Sequence, residues 1–470
     1  MVTHQALGCT AVPPGWFSCI VPDGSYNAGI ALWGAEATIS GRNAMQQHDS
    51  GAVRAVAWSE IWPWLALVRC FRLAVGLRLL LLSGVAMVLT LAGWNLFAVP
   101  FGFQSDPQTA REVEPLRTCP WLVMTQSDLV PNRPPLLDLA AGLAGDDSGA
   151  AWHGLFWKSL ADLSRPLRDL SRPVRRLFSA EATSERLAYW LLCGLWTLGV
   201  WALFGGAICR VVAVRFAAEE HLGWSAMFGH AAAKWRAHVA APLLPLLVIL
   251  AIAVLMALVA KALFAWDWSV LVAGIFWPLA LLGGLLMALL ALGVVFGWPL
   301  MWATIGAEGT DSFDALSRSY AYVFQRPLHY LFYAAVAGGL GVLGWVFVSN
   351  FAAAVIALTY GAVAWGCGAE RIATIANATA PLENLGQAGA VLVRFWVDCV
   401  KVLAIGFLYS YFWTAATVVY FLLRRDVDAT EMDEVYLDQQ AEPPHGLPPI
   451  STDQAGAPSV EQEGAGSEEP

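Results

Sequence analysis

Histidines and carboxylates crowd most closely at Glu219, Glu220, His221, His230 and His238. A divalent-cation site would need several of these on one helical face. Steps of nine and eight residues between the histidines do not stack at 3.6 residues per turn, so the stretch is expected to be a solvated connection. No G-x-S-x-G turn frames a serine nucleophile, and there is no Walker loop or G-x-G-x-x-G turn. The eight cysteines (Cys9, Cys19, Cys70, Cys119, Cys193, Cys209, Cys367 and Cys399) contain no C-x-x-C pair, which leaves neither a zinc motif nor a disulfide framework. No catalytic residue, metal or cofactor is expected, and the chain does not read as an enzyme.

The most distinctive polar stretch runs from Asp311 to Pro327. Asp311 and Ser312 suit a helix start, and Pro327 suits the first turn of the next helix. Between them Phe313, Leu316, Tyr320 and Phe324 recur every three to four residues, predicting one apolar face. Asp314, Arg318 and Arg326 provide charge beside that face. The preferred expectation is an interfacial helix lying under a bundle. The alternative is a coupling helix that engages a cytoplasmic partner protein.

The elements that hold this stretch are membrane spans. The chain of 470 residues is 58% hydrophobic and 13% charged, against about a quarter charged in soluble domains. Six charge-free gaps each reach the roughly 20 residues a spanning helix needs. They predict spans near 79–100, 187–209, 239–260, 276–300, 328–350 and 402–423. The runs are continuous and not alternating, which excludes a β-barrel and requires helices. The fold class is therefore all-α, a polytopic transmembrane helix bundle of about six spans, with interfacial helices and disordered termini. The lipid bilayer is the first partner, other membrane or cytoplasmic proteins the second, and nucleic acid is not expected.

Lys and Arg near the span ends set orientation. Arg54, Arg69, Arg72 and Arg78 precede the first span, Arg210 and Arg215 follow the second, and Arg424 and Arg425 close the sixth. These share one side, read as cytoplasmic, so both termini are expected inside a bacterial inner membrane. The loop 102–186 disagrees, holding ten basic residues against eleven acidic ones. Long loops translocate regardless of charge, and this one is placed outside. It carries Ser164-Arg165-Pro166-Leu167-Arg168, echoed seven residues on by Ser171-Arg172-Pro173-Val174-Arg175. An interfacial helix is predicted around Ile61–Leu73. Residues 1–57 and 426–470 are expected to be disordered. Twelve acids and no bases lie beyond Arg425, so the net charge of −9 belongs to the tail and the membrane body is mildly basic.

A shift of 89 residues lays the second and third spans on the fourth and fifth and pairs Glu219 with Glu308. Glycines and prolines at Pro278, Gly283, Gly284, Gly338, Gly339, Gly341 and Gly344 fit close helix packing. Their sharper alternative is a discontinuous helix lining a path, with a re-entrant segment around Phe351–Gly366. Buried charge, the usual mark of a pump or carrier, is not expected: Lys261 and Asp267 sit at span ends.

Four stretches carry a resemblance: Phe71–Ala74, Trp196–Arg210, Ser312–Tyr330 and Leu422–Leu437. Together they resemble uncharacterised multi-pass membrane proteins of planctomycete bacteria over residues 58–438. The resemblance implies an inner-membrane location and no known activity. The acidic turn and following helix also look like the coupling segment of ABC-type permeases, although Ala315 replaces the glycine usual there. The expected function is a structural or accessory envelope component. The alternative is a permease-like subunit of a membrane transport system.

Overall fold

The structure is a computed structural model that describes residues 62–101, 148–177, 183–377 and 384–436, plus the short strands 450–452 and 458–460. The expectations for 1–57, for 102–147 and for most of the acidic tail lie outside the described residues. The rest is a bundle of α-helices. A 3₁₀ turn, Pro63–Val68, leads into α1 (Arg69–Ala74) and α2 (Leu77–Ala98). Then come α3 (Ser148–Leu163), α4 (Arg165–Leu177), α5 (Ser184–Ala217), α6 (Trp224–Ala233) and α7 (Trp235–Leu263). The chain continues through α8 (Asp267–Glu308), α9 (Ser312–Gln325), α10 (Pro327–Cys367), α11 (Ala369–Asn377) and α12 (Asn384–Asp428). Ile450–Thr452 and Pro458–Val460 pair as a small antiparallel ribbon, the one departure from all-helical structure among the described residues.

Five helices, α2, α5, α7, α8 and α10, are long and apolar enough to cross a membrane. Their outward faces show why lipid is the solvent. Leu250, Leu255, Leu258, Leu271, Ile275 and Leu279 are all more than half exposed, and a water-facing surface rarely carries so large a contiguous apolar area. The sixth expected stretch, 402–423, lies in α12, the central helix. Its Tyr409, Ser410, Tyr411, Trp413, Thr414 and Tyr420 are buried, so these polar groups meet protein on every side.

Side-chain contacts fix the directions of these six helices. Thr90 meets Trp201 and Trp94 meets Thr197, so α2 and α5 are antiparallel. Tyr409 stacks on Trp201 and Phe421 packs tilted against Phe216, so α12 runs with α5. Trp302 stacks on Trp413 while Glu308 reaches Tyr420, which makes α8 parallel to both. Tyr333 meets Asp426 and Ala337 meets Tyr411, so α10 opposes α12. Trp302 donates to the His238 carbonyl while Gly283 approaches Met256, so α7 opposes α8, and the six helices alternate in direction along the chain, as successive membrane crossings must.

The discontinuous and re-entrant alternatives are overturned. α8 and α10 are unbroken over 42 and 41 residues, about 60 Å each at 1.5 Å per residue, or twice the hydrocarbon core. Pro242, Pro245, Pro278 and Pro299 all sit inside helices. In a medium without competing water the helix remains the only way to satisfy the backbone around a proline. The predicted interfacial helix is the 3₁₀ turn plus α1. It is more than interfacial, because Leu67, Cys70 and Ala74 are fully buried.

Candidate functional site

The ends of α5, α8 and α12 meet at one end of the bundle, and α9 packs against them. Helix ends leave backbone groups unpaired, so this junction draws polar partners. α8 stops at Gly309, whose φ of +63° turns the chain in a left-handed conformation that suits glycine. Asp311 then caps α9, accepting from the Asp314 backbone N–H at 2.9 Å. The short α9 returns alongside α8, and Tyr320 donates to the Leu290 carbonyl at 2.7 Å.

Glu308, half-buried at the end of α8, is the centre. Arg318 of α9 reaches its Oε2 at 2.7 Å, and Arg424 of α12 approaches Oε1 at 3.5 Å. Tyr420 donates to the same Oε1. Arg318 also pairs with Asp314 at 3.1 Å. Burial alone would disfavour the charge on Arg318, but the bond to Asp314 and the negative field of Glu308 and Asp314 raise its pKa. Tyr322 donates to Asp428. Its own burial, then that carboxylate, push its phenol well up. Burial alone lifts Tyr320 to about 12.

Two nearly buried arginines, Arg210 and Arg424, hold a strap that folds back after α12. Arg424 donates to the carbonyls of Glu434 at 2.9 Å and Glu431 at 3.3 Å. Arg210 donates to the carbonyls of Tyr436 at 2.5 Å and Gly306 at 3.2 Å. The strap returns one bond, from the Tyr436 N–H to the Ala307 carbonyl at 3.0 Å. Met432 and Val435 pack on the core beneath.

Of the residues singled out from sequence, Asp311, Asp314 and Arg318 are drawn into this junction, while Tyr320 packs higher up α8, at Leu290 and Gly293. Leu316 is half-buried on the core, and Arg326 ends α9 as its C-cap. The buried face of α9 is Ala315, Ser319, Tyr322 and Val323. The row expected to face the bundle begins and ends in exposed Phe313 and Phe324, because the small residues allow the closest approach to α8. Glu308, Arg210, Tyr420, Arg424 and the strap were not singled out as a site. Their signals were present only as charges at span ends and as the Glu219–Glu308 pairing.

Two expectations are corrected here. Charge is buried, at Arg210 and Arg424, where helix ends and strap carbonyls compensate it. His230 and His238 are buried too, not solvated; His238 faces Gly206, and its Nδ1 lies 3.0 Å from the Lys234 carbonyl. Glu219, Glu220 and His221 are exposed. Among the described residues, no three His, Cys, Asp or Glu side chains are placed to hold a metal ion.

This arrangement defines a membrane-embedded α-helical protein with a charge-paired, strap-closed bundle end. No protein-family model, curated protein or solved structure that was compared matches the chain.

Proposed function

We propose that the protein is a non-enzymatic structural or accessory component of a bacterial inner membrane, the location that its resemblance to planctomycete membrane proteins implies. The observation that carries this reading is the close packing where a path would have to run. At Gly205 an added Cβ would lie 2.9 Å from Trp302, at Gly341 2.5 Å from Tyr411, and at Gly344 2.8 Å from Phe71. The glycines thus hold aromatic rings, as small residues do at membrane helix contacts. A permease subunit is disfavoured because Asp314 and Arg318, the central charges of α9, are engaged with each other and, for Arg318, with Glu308.

Affinity purification of the full chain in mild detergent tests the proposal. Recovery of integral membrane or envelope proteins, unchanged when Asp314→Arg and Arg318→Glu are introduced together, is the expected result. Stoichiometric recovery of a nucleotide-binding ATPase, lost in that charge-reversed variant, would replace the proposal with the permease reading.

A further inference from the structure

Three charged residues of α12 fall on its protein-facing stripe. Ala390, Arg394, Asp398, Lys401 and Ile405 recur every three to four residues, which keeps them on one face of a helix. The two ends of that stripe, Ala390 and Ile405, are buried. Leu392, Phe395 and Trp396 point to other sides of the helix and are exposed. A helix that shows apolar side chains outward and charge inward is the reverse of a water-facing one.

The level of these charges follows from α2, which runs antiparallel to α12. A Cβ at Gly84 would lie 3.3 Å from Val402, and one at Gly406 would lie 3.0 Å from the Leu80 carbonyl. Asp398 and Arg394 stand one and two turns beyond Val402, about 6 and 12 Å at 1.5 Å per residue. From Gly84, α2 continues to Ala98, about 21 Å on the same scale. Over that length it shows Val85, Leu89 and Leu96 outward. The charges therefore stand within the length that α2 presents to lipid. Ionisable groups at such depth face protein and mark ion or ligand sites.

The charges do not balance. Lys401 pairs with Asp398 at 3.4 Å, and their side chains are only 18% and 14% exposed. Arg394, one turn from Asp398, has no ion pair among the described residues, and its buried Nε has no hydrogen-bond partner there. Across the interface, Tyr360 follows buried Ala353 and Ile356 on one face of α10. The charges of Asp398 and Arg394 both act on its hydroxyl. The cluster thus holds two cations, one carboxylate and one neutral phenol. One positive charge is left over where the surroundings solvate it poorly, and such a charge is costly unless an opposite one meets it.

We propose that Arg394, Lys401 and Tyr360 hold a monovalent inorganic anion of chloride size between α10 and α12. The Arg394 Nε–H and the Tyr360 O–H supply hydrogen-bond donors to it, and bonds from a cation to an anion are the strong kind. Lys401 divides its charge between Asp398 and the anion. Asp398 sets the count: with it the surplus is one charge, and without it two. A divalent anion would overshoot that surplus. The site needs no path through the bundle, so it stands independently of the structural role proposed above.

The test uses the full-length protein in nanodiscs of phosphatidylcholine, whose headgroup has no net charge. Thermal unfolding is followed as sodium chloride replaces sodium gluconate at constant ionic strength. Chloride should raise the melting temperature of the wild type and then saturate, as a bound ligand does. Arg394→Gln brings the cluster to neutrality. It should weaken the apparent chloride affinity about tenfold, the loss of one hydrogen bond to a charged group. Asp398→Asn should tighten that affinity by a similar factor, although it breaks an ion pair. A cluster with a packing role alone would make both variants melt lower and give neither a change in chloride response. A wild type indifferent to the exchange overturns the proposal, as does an undiminished response in Arg394→Gln. Should Arg394→Gln not fold, Asp398→Asn decides: a tightened chloride response supports the site, and an unchanged or weaker one overturns it.

Discussion

Arg424 makes more of the junction than any other side chain, because it serves both Glu308 and the strap carbonyls. Without Arg424, Glu308 keeps Arg318 and Tyr420, but the Glu431 and Glu434 carbonyls lose their donor, a loss of about 1–3 kcal/mol. Arg424→Met should therefore lower the melting temperature in detergent markedly and open the strap around Glu431–Tyr436 to limited proteolysis. Glu308→Gln should do less, since Tyr420 and the arginines retain an acceptor. Equal stability of Arg424→Met and wild type would show that the strap needs no clamp. Tyr322 adds a pH signature. Its free phenol ionises near 10 and its folded one well above, so its contribution to stability is level below about pH 10 and falls as the pH rises further. Tyr322→Phe should shallow that alkaline fall by one proton's worth in a stability-against-pH curve. Little of this was legible beforehand. Arg210, Glu308 and Arg424 look like ordinary span-end charges until the chain returns through residues 429–436 to cover them. Likewise, nothing in the spacing of His230 and His238 says that Gly206 makes room for a ring.

At the scale of elements, the glycines of α10 separate packing from flexibility. A Cβ at Gly341 would lie 2.5 Å from Tyr411 and 2.8 Å from Leu163, whereas Gly338 and Gly339 have nothing within 4 Å. Gly341→Ala is expected to destabilise by about 1–3 kcal/mol through overpacking. Gly338→Ala and Gly339→Ala should be neutral or stabilise by up to about 1 kcal/mol, as Ala does over Gly in a helix. Melting temperatures of the three variants in one detergent check this, and a uniform response would refute the packing role. The existence of these helices was legible from the charge-free gaps, as was the start of α9 at its Asp311 cap. Their continuity was not: glycine and proline carry break signals learned in water, and those signals weaken where lipid offers the backbone no alternative partner. The repeated plan was partly visible. Long helix, turn, short helix and long helix occur twice, as α5–α7 and α8–α10, and the turns are left-handed at Glu219 and Gly309 alike.

For the whole molecule, the alternating directions of α2, α5, α7, α8, α10 and α12 put the ends of α5, α8 and α12 together. They set α4 along the half of α5 that carries Tyr189, away from that junction. Charge counting alone left that loop in conflict with its neighbours, because the inward turn of Asp162 and Asp169 depends on tertiary contacts that composition does not record. Two single-cysteine variants in a cysteine-free full-length background test the arrangement most directly. Gly154→Cys lies on exposed α3, where the added side chain meets nothing within 4 Å; Glu220→Cys lies in the exposed turn after α5. With a membrane-impermeant maleimide on intact cells, Gly154→Cys should label at once and Glu220→Cys only after lysis. Labelling of both, or of neither, before lysis would contradict a bundle whose two ends lie on opposite sides of the membrane.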